Sequence, residues 1–159
     1  MTAHKPHFTL VTVHPTFVVG HDKTQTDRTK PGGMNAVLLR SLATPPPGKP
    51  MIPAAFVDVR DVSDVSLRSL ELREDEGAAL TEVLVNGDPT SWDEIVSFVR
   101  GRYPSVDVKL EGPFSAPFTA DTSRAETQLG VKWRGIEKIL TSVLDQQVNL
   151  RSRITRAGL

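Results

Sequence analysis

The sequence predicts an α/β fold of short parallel strands and packed helices, on three observations. Short β-branched runs alternate with segments of helical period. Proline- and glycine-rich joints separate them. The strands are few, three or four, and no two of the eleven glycines are spaced Gly-x-Gly or Gly-x-x-Gly, so neither a dinucleotide fingerprint nor a P-loop is present. The pattern reads as part of a doubly wound domain, completed by dimerisation, rather than all of one.

Taken in order, Phe8-Thr9-Leu10-Val11-Thr12-Val13 alternates loosely and reads as a strand that stops at His14-Pro15. Phe17-Val18-Val19-Gly20 continues as a short extended piece. Residues 21–33 carry Lys23, Asp27, Arg28 and Lys30 and read as an exposed loop. Met34 to Leu42 is a short helix with Leu38, Leu39 and Leu42 on one side. The run Thr44-Pro45-Pro46-Pro47-Gly48-Lys49-Pro50 is a polyproline-like loop. Ala55-Phe56-Val57-Asp58-Val59 is the second strand. Asp61 is expected to N-cap a helix bearing Val62, Val65, Leu70 and Leu72, with Arg68 and Arg73 towards its C-terminal end.

Glu82-Val83-Leu84-Val85 is a third strand, ended by Asn86-Gly87-Asp88-Pro89. Ser91 and Glu94 form a capping box for a helix that buries Trp92, Ile95, Val96 and Val99, with Gly101 as its left-handed stop. Val106 to Leu110 suits a fourth strand. Ser123 and Glu126 cap a short helix ending at Gly130. Ile136, Ile139, Leu140, Val143, Leu144 and Val148 keep the helical period through the last helix. The expected boundaries are a flexible lead-in at 1–7, one domain at 8–150 and a basic tail at 151–159 with Arg151, Arg153 and Arg156.

Nineteen basic and nineteen acidic side chains cancel, so no global field draws the chain to nucleic acid or anionic lipid. The absence of cysteine excludes disulfides, thiolate metal sites and a cysteine nucleophile. No apolar run reaches the roughly 20 residues that span a bilayer, and the N-terminus lacks the apolar stretch of a signal peptide. A cytoplasmic protein without a nucleic-acid or membrane partner is expected.

Three segments in register resemble the C-terminal, substrate-binding half of the extended short-chain dehydrogenase/reductases, the epimerase/dehydratase and dihydroflavonol-reductase-like group. Pro15-Thr16-Phe17-Val18-Val19-Gly20 is similar to their Pro-Thr-Leu-Val-Val-Gly-Pro loop. Phe56-Val57-Asp58-Val59-Arg60-Asp61-Val62 is similar to their Phe/Tyr-Val-Asp-Val-Arg-Asp-Val/Leu segment. Asp121-Thr122-Ser123-Arg124-Ala125, then Leu129-Gly130-Val131-Lys132-Trp133-Arg134 and Glu137, are similar to their ending. The resemblance spans residues 8 to 148. It implies that the nucleotide-binding half and the catalytic Tyr-x-x-x-Lys would precede residue 1. The opening Met1 and short polar lead-in favour the expectation of a naturally truncated protein over that of an arbitrary fragment. The sole tyrosine, Tyr103, has Asp107 four places on. The Pro15–Gly20 loop would abut a nicotinamide, but without a phosphate-binding turn no NAD(P) cofactor is expected.

Four histidines lie within the first 21 residues. His4 and His7 belong to the lead-in and read as inert. His14 ends a strand, where open α/β sheets place their crevices, and its imidazole could serve as a general base or acid. It is the candidate general base, with Asp58 and Arg60 in support: Asp58, or else Asp22, as the carboxylate that fixes its tautomer, and Arg60 as the enolate-stabilising cation. A hydrogen-bonded structural histidine, and an Asp58–Arg60 pair that serves as scaffold, are the competing readings. Thr16, Phe17, His21, Asp22, Phe114, Phe118 and Trp133 are candidate substrate-binding residues, against the commoner fate of core and turn. No metal is expected, because no His-x-His or His-x-x-x-His spacing is present.

On this reading the chain is a non-redox enzyme that moves protons in a cyclisation, isomerisation or dehydration. Its substrate would be a small apolar carbonyl compound of polyketide type. A non-catalytic assembly protein and a fragment of an NADPH-dependent carbonyl reductase are the alternatives. Open strand edges left by the missing half predict a two-fold homodimer.

Overall fold

The computed structural model describes residues 8, 10–27, 29–71 and 80–157. Its elements run β1 (Leu10–Pro15), β2 (Phe17–Val19), α1 (Gly33–Leu42), β3 (Phe56–Asp58), α2 (Val59–Ser69), β4 (Leu80–Val85), α3 (Trp92–Arg102), α4 (Ser123–Leu129) and α5 (Ile136–Ala157). The strands form two parallel pairs, as the alternation with helices requires. β1 pairs with β4, from Leu10 opposite Leu80 to Pro15 opposite Val85. β2 pairs with β3, with Phe17 opposite Phe56 and Val19 opposite Asp58.

The chain changes sheets at Pro15 and Thr16. Proline has no N–H to continue the first ladder. The Thr16 N–H donates to the Val85 carbonyl at 3.0 Å, and the Phe17 N–H then donates to Ala55 at 3.0 Å. The Thr16 hydroxyl donates to Asn86 Oδ1 at 2.8 Å.

Strand alternation divides the interior into two clusters. Phe56 enters one with Leu38, Leu42, Trp92, Ile95, Leu140 and Leu144, and meets the Trp92 ring edge-on at 5.7 Å. The next residue, Val57, enters the other with Val65, Val83, Val85, Ala125 and Leu129. Val11 and Val13 of β1 pack against this second cluster. Leu10 and His14 therefore face the opposite way, His14 opposite Leu84 and Leu10 at the far end of the pair, and Leu10 and Leu84 stay 50% and 38% exposed.

Several expectations change in the folded chain. Asp58, not Asp61, caps α2: its Oδ1 accepts from the Arg60 N–H at 2.8 Å, and the helix starts at Val59. Asp61 lies one turn later, buried, and receives the Arg134 backbone N–H at 3.0 Å together with its guanidinium. Leu70 is exposed just past the helix rather than on its apolar face. The Ser91–Glu94 capping box is present. Gly101 is not a left-handed stop, because α3 runs through it and is capped at Tyr103, whose N–H reaches the Val99 carbonyl at 2.8 Å.

Residues 106–110 form no strand. The Lys109 and Leu110 N–H groups both donate to Leu42, at 2.9 and 3.0 Å, and so satisfy the end of α1. Thr122 precedes α4 and its hydroxyl bonds Glu126 Oε1 at 2.7 Å, so Ser123 is inside the helix and makes no capping box. Gly130, at φ +60°, ends that helix in the left-handed conformation. α5 continues to Ala157, past the expected boundary at 150, and Arg151 donates to the Ser105 carbonyl at 2.9 Å. The lead-in at 1–7 with His4 and His7, Arg28, Leu72, Arg73 and residues 158–159 lie outside the described residues, as do the side chains of Arg153 and Arg156. Among the described residues no helix is long and apolar enough to cross a membrane.

The Arg134 guanidinium joins the buried Asp61 to the half-exposed Asp64. Removing the cation strands a buried carboxylate, so Arg134→Ala should cost about 3 kcal/mol. Asp64→Ala, at the exposed end of the network, should cost less than about 1 kcal/mol. Urea denaturation of the two variants at unchanged m-value checks the ranking.

Candidate functional site

Parallel α/β sheets place ligand crevices beyond the carboxyl ends of their strands. Beyond the ends of β2 and β3 lies a cleft of about 610 Å³. Val18, Val59 and Met34 give it apolar walls, and His21, Asp22 and Arg60 give it a polar rim.

Gly20 shapes its floor. At φ +152° a side chain is disfavoured, and an added Cβ would meet Val59 Cγ1 at 2.7 Å. The buried Asn35 of α1 then holds the glycine on both sides. Its Oδ1 accepts the Gly20 N–H at 3.1 Å, and its Nδ2 donates to the Gly20 carbonyl at 2.7 Å.

The following loop is tied to α5. The His21 N–H donates to Ser142 Oγ at 3.1 Å, and the Asp22 N–H to Gln146 Oε1 at 2.9 Å. Gln146 returns a hydrogen bond from Nε2 to the Asp22 carbonyl at 2.6 Å. The Asp22 carboxylate accepts the Thr24 hydroxyl at 2.6 Å and its N–H at 2.8 Å, and these bonds hold its pKa below the usual value.

On the other wall, Arg60 donates from Nε and Nη2 to both oxygens of Asp58, at 2.8 and 2.6 Å. The Arg60 side chain is 51% exposed, whereas Asp58 is fully buried. Burial pushes the Asp58 carboxyl up. The Arg60 side-chain and backbone hydrogen bonds, with the charges of Arg60 and Arg134, outweigh burial and leave its pKa lowered. The Arg60 pKa is raised in turn, chiefly by the hydrogen bond to Asp58. The guanidinium stays charged and presents its exposed side to the cleft.

The structure does not assemble His14, Asp58 and Arg60 into one acid–base site. The sheet change at Thr16 leaves His14 opposite Leu84 in one pair and Asp58 opposite Val19 in the other. His14 Nε2 bonds Thr12 Oγ1 at 3.1 Å and lines a separate cleft with Glu82, Leu84, Asp121 and Arg124. Among the expected substrate residues, His21 and Asp22 line the main cleft. Thr16 is bound to Asn86, and Phe17 packs on Phe56 at 6.4 Å. Phe114 lines a third groove with Ile52 and Trp92, and Phe118 is exposed. The Trp133 indole donates to Glu126 Oε1 at 2.8 Å.

Sequence reasoning missed Asn35, Ser142 and Gln146. The available signal was polarity on an apolar helix face, which is weak by itself. Tyr103 sits apart from the cleft, its hydroxyl donating to Asp145 at 2.7 Å; burial and that bond raise its pKa. Among the described residues no group of three or more His, Asp or Glu side chains is placed to hold a metal ion.

No family model matches the chain. It is 29% identical over 146 residues to the ketoreductase sphI of Aspergillus fumigatus, covering 91% of this chain and 43% of that protein. Gre2 from Candida albicans superposes with a TM-score of 0.70 at 20% identity, over 94% of this chain and 47% of that one. The yeast methylglyoxal/isovaleraldehyde reductase Gre2, crystallised with NADPH, gives 0.70 at 20% identity, over 89% and 43%. The chain therefore spans less than half the length of these relatives. The resemblance to part of a short-chain dehydrogenase/reductase holds, as does the α/β fold of parallel strands. The expected non-redox cyclase, isomerase or dehydratase does not hold: the relatives are reductases, and they favour the reductase alternative.

The lowered Asp58 pKa fixes the sign of a pH effect. Its stabilising contribution is fully present above the unfolded value of about 4 and is lost as pH falls through the lower folded value. Stability should fall on acidification through that window, and Asp58→Asn should be less stable at neutral pH with a flatter acid limb. Chemical denaturation from neutral to acid pH reads both effects.

Proposed function

We propose that the chain supplies the substrate-binding side of an NADPH-dependent carbonyl reductase acting on a small, largely apolar ketone or aldehyde. The observation that carries this reading is the match of 91% of the chain to a ketoreductase. The cleft beyond β2 and β3 suits such a substrate. Val18, Val59 and Met34 would take its apolar body, and the charged Arg60 would offer a hydrogen-bond donor near its carbonyl end. Asn35 and Gln146 act on the substrate through others, by fixing Gly20 and Asp22 at the cleft edge.

The described residues do not fit NADPH as a whole. They contain no glycine-rich turn whose N–H groups could cradle phosphates. The Gly20 N–H and carbonyl are both taken up by Asn35. The proton donor and the phosphate cradle are expected on the half of the fold that the resemblance places before residue 1. This chain's own share is to bind and orient the carbonyl compound.

The test is a chimera in which the segment of the Aspergillus fumigatus ketoreductase outside the match precedes this chain. Incubated with isovaleraldehyde and small ketones, it should consume NADPH. Ser63→Trp, at an exposed position on the cleft wall, should raise KM at least about tenfold. Phe114→Ala, in the separate groove, should leave KM unchanged. A folded chimera that binds NADPH and reduces none of these carbonyls would falsify the reading.

A further inference from the structure

A second depression, of about 860 Å³, adjoins the cleft. Arg60 and Ser142 line both, and Ser142 is the residue whose Oγ accepts the His21 N–H at 3.1 Å. Four cations line the depression, Arg60, Arg102, Arg134 and Lys138, and among the described residues Glu137 is the one carboxylate beside them. Phe98 of α3 adds an apolar patch.

The four cations are of two kinds. Arg60 and Arg134 are held by buried carboxylates. Arg60 Nε and Nη2 bind Asp58, and Arg134 Nη1 binds Asp61 and the half-exposed Asp64. These bonds leave Arg60 Nη1 and Arg134 Nη2 without an acceptor among the described residues, on side chains 51% and 31% exposed. A guanidinium fixed before a ligand arrives loses little freedom on binding it. Arg102 and Lys138 are exposed and have no ion-pair partner among the described residues. Arg102 stands in the last turn of α3, where the helix dipole favours a cation. Lys138 stands in the first turn of α5, where the dipole opposes one, so helix stability does not account for it.

The charge balance sets the charge of the ligand. Asp58 and Asp61 match Arg60 and Arg134 from within the fold. Arg102 and Lys138 then outnumber Glu137 by one in the lining, and Asp64, bound to Arg134, lies outside that lining. Such an excess suits a single negative charge. A polyphosphate would bring several charges against Glu137 and Asp64.

Resting on the reductase reading, we propose that the depression is an anion subsite of the same substrate site, so that the carbonyl compound is an oxo acid. Its carboxylate docks between Arg102, Arg134 and Lys138. Its apolar stem and carbonyl lie in the cleft, with Arg60 at the junction. A planar carboxylate matches the fork of a guanidinium, and hydrogen bonds from a charged donor are the strong ones.

Titrating levulinate and its longer homologue 7-oxooctanoate into the isotopically labelled chain at low salt, each beside its methyl ester, tests the proposal. At least one acid should bind at least about tenfold more tightly than its ester. The Gly20 and Arg60 amides should shift with acid and ester alike, and the Arg102 and Lys138 amides with the acid alone. Added salt should shrink the preference. Arg102→Gln and Lys138→Gln should each remove most of it and leave ester binding as it was, which also shows that the variants fold. Lys132→Gln, at an exposed position outside the depression, should change neither.

The proposal is overturned if both acids bind no better than their esters, or if the preference survives both glutamine variants. Inorganic phosphate that displaces the acid at equal or lower concentration also overturns it, by making a phosphate the ligand. Esters that shift Gly20 and Arg60 with no preference for the acid would count against the subsite alone. Preference for the acid without carbonyl reduction by the chimera described above would count against the reductase reading alone. If neither acid nor ester shifts Gly20 and Arg60, the cleft fails as a carbonyl site and the subsite falls with it.

Discussion

The buried Asp58 carboxylate joins the sheet, a helix and the cleft. It ends β3, caps α2 through the Arg60 N–H, and takes the Arg60 side chain in two further hydrogen bonds. A buried carboxylate is tolerated only when its lone pairs are satisfied and its charge is matched. Satisfying Asp58 therefore fixes where α2 begins and where the Arg60 guanidinium sits. One turn along, Asp61 repeats the device with Arg134 and ties α2 to the segment leading into α5. The Arg60 wall of the cleft follows from these two carboxylates, and the glycine wall follows from Asn35.

Much of this was legible in the sequence because local rules and tertiary context agreed. Phe56, Val57 and Asp58 alternate as a strand must, and the structure sends Phe56 and Val57 into opposite clusters. Ser91 and Glu94 make their capping box by purely local hydrogen bonds. The α5 apolar positions follow the helical period: Ile139, Leu140, Val143 and Leu144 are buried, with Ile136 and Val148 partly buried at either end.

The misses arose where a distant partner decided the outcome. Asp61 looks like a cap until Arg134, far along the chain, claims it. Residues 106–110 look like a strand, but the end of α1 offers Leu42 as an acceptor. His14 and Asp58 both lie at strand ends, and nothing local reveals that Pro15 and Thr16 send the chain into a second sheet. That crossing separates His14 from the Asp58–Arg60 pair. It also leaves His21 and Asp22 in the cleft, held by Ser142 and Gln146 from more than a hundred residues away.

The functional error had a different source. The missing glycine turn and Tyr-x-x-x-Lys were read as a change of chemistry, whereas reductase relatives of more than twice the matched length place the same fold in redox enzymes. On the proposed reading the site is divided between two halves of a fold, and each half then lacks a complete motif. Among the described residues this chain holds a cleft with apolar walls and the Arg60 cation fixed at its rim. The most direct measurement is a titration of isovaleraldehyde into the isotopically labelled chain, following backbone amide shifts. Shifts centred on Gly20, His21 and Arg60 are the predicted result. Shifts confined to the groove of Ile52, Trp92 and Phe114, or to the surroundings of His14, would contradict it.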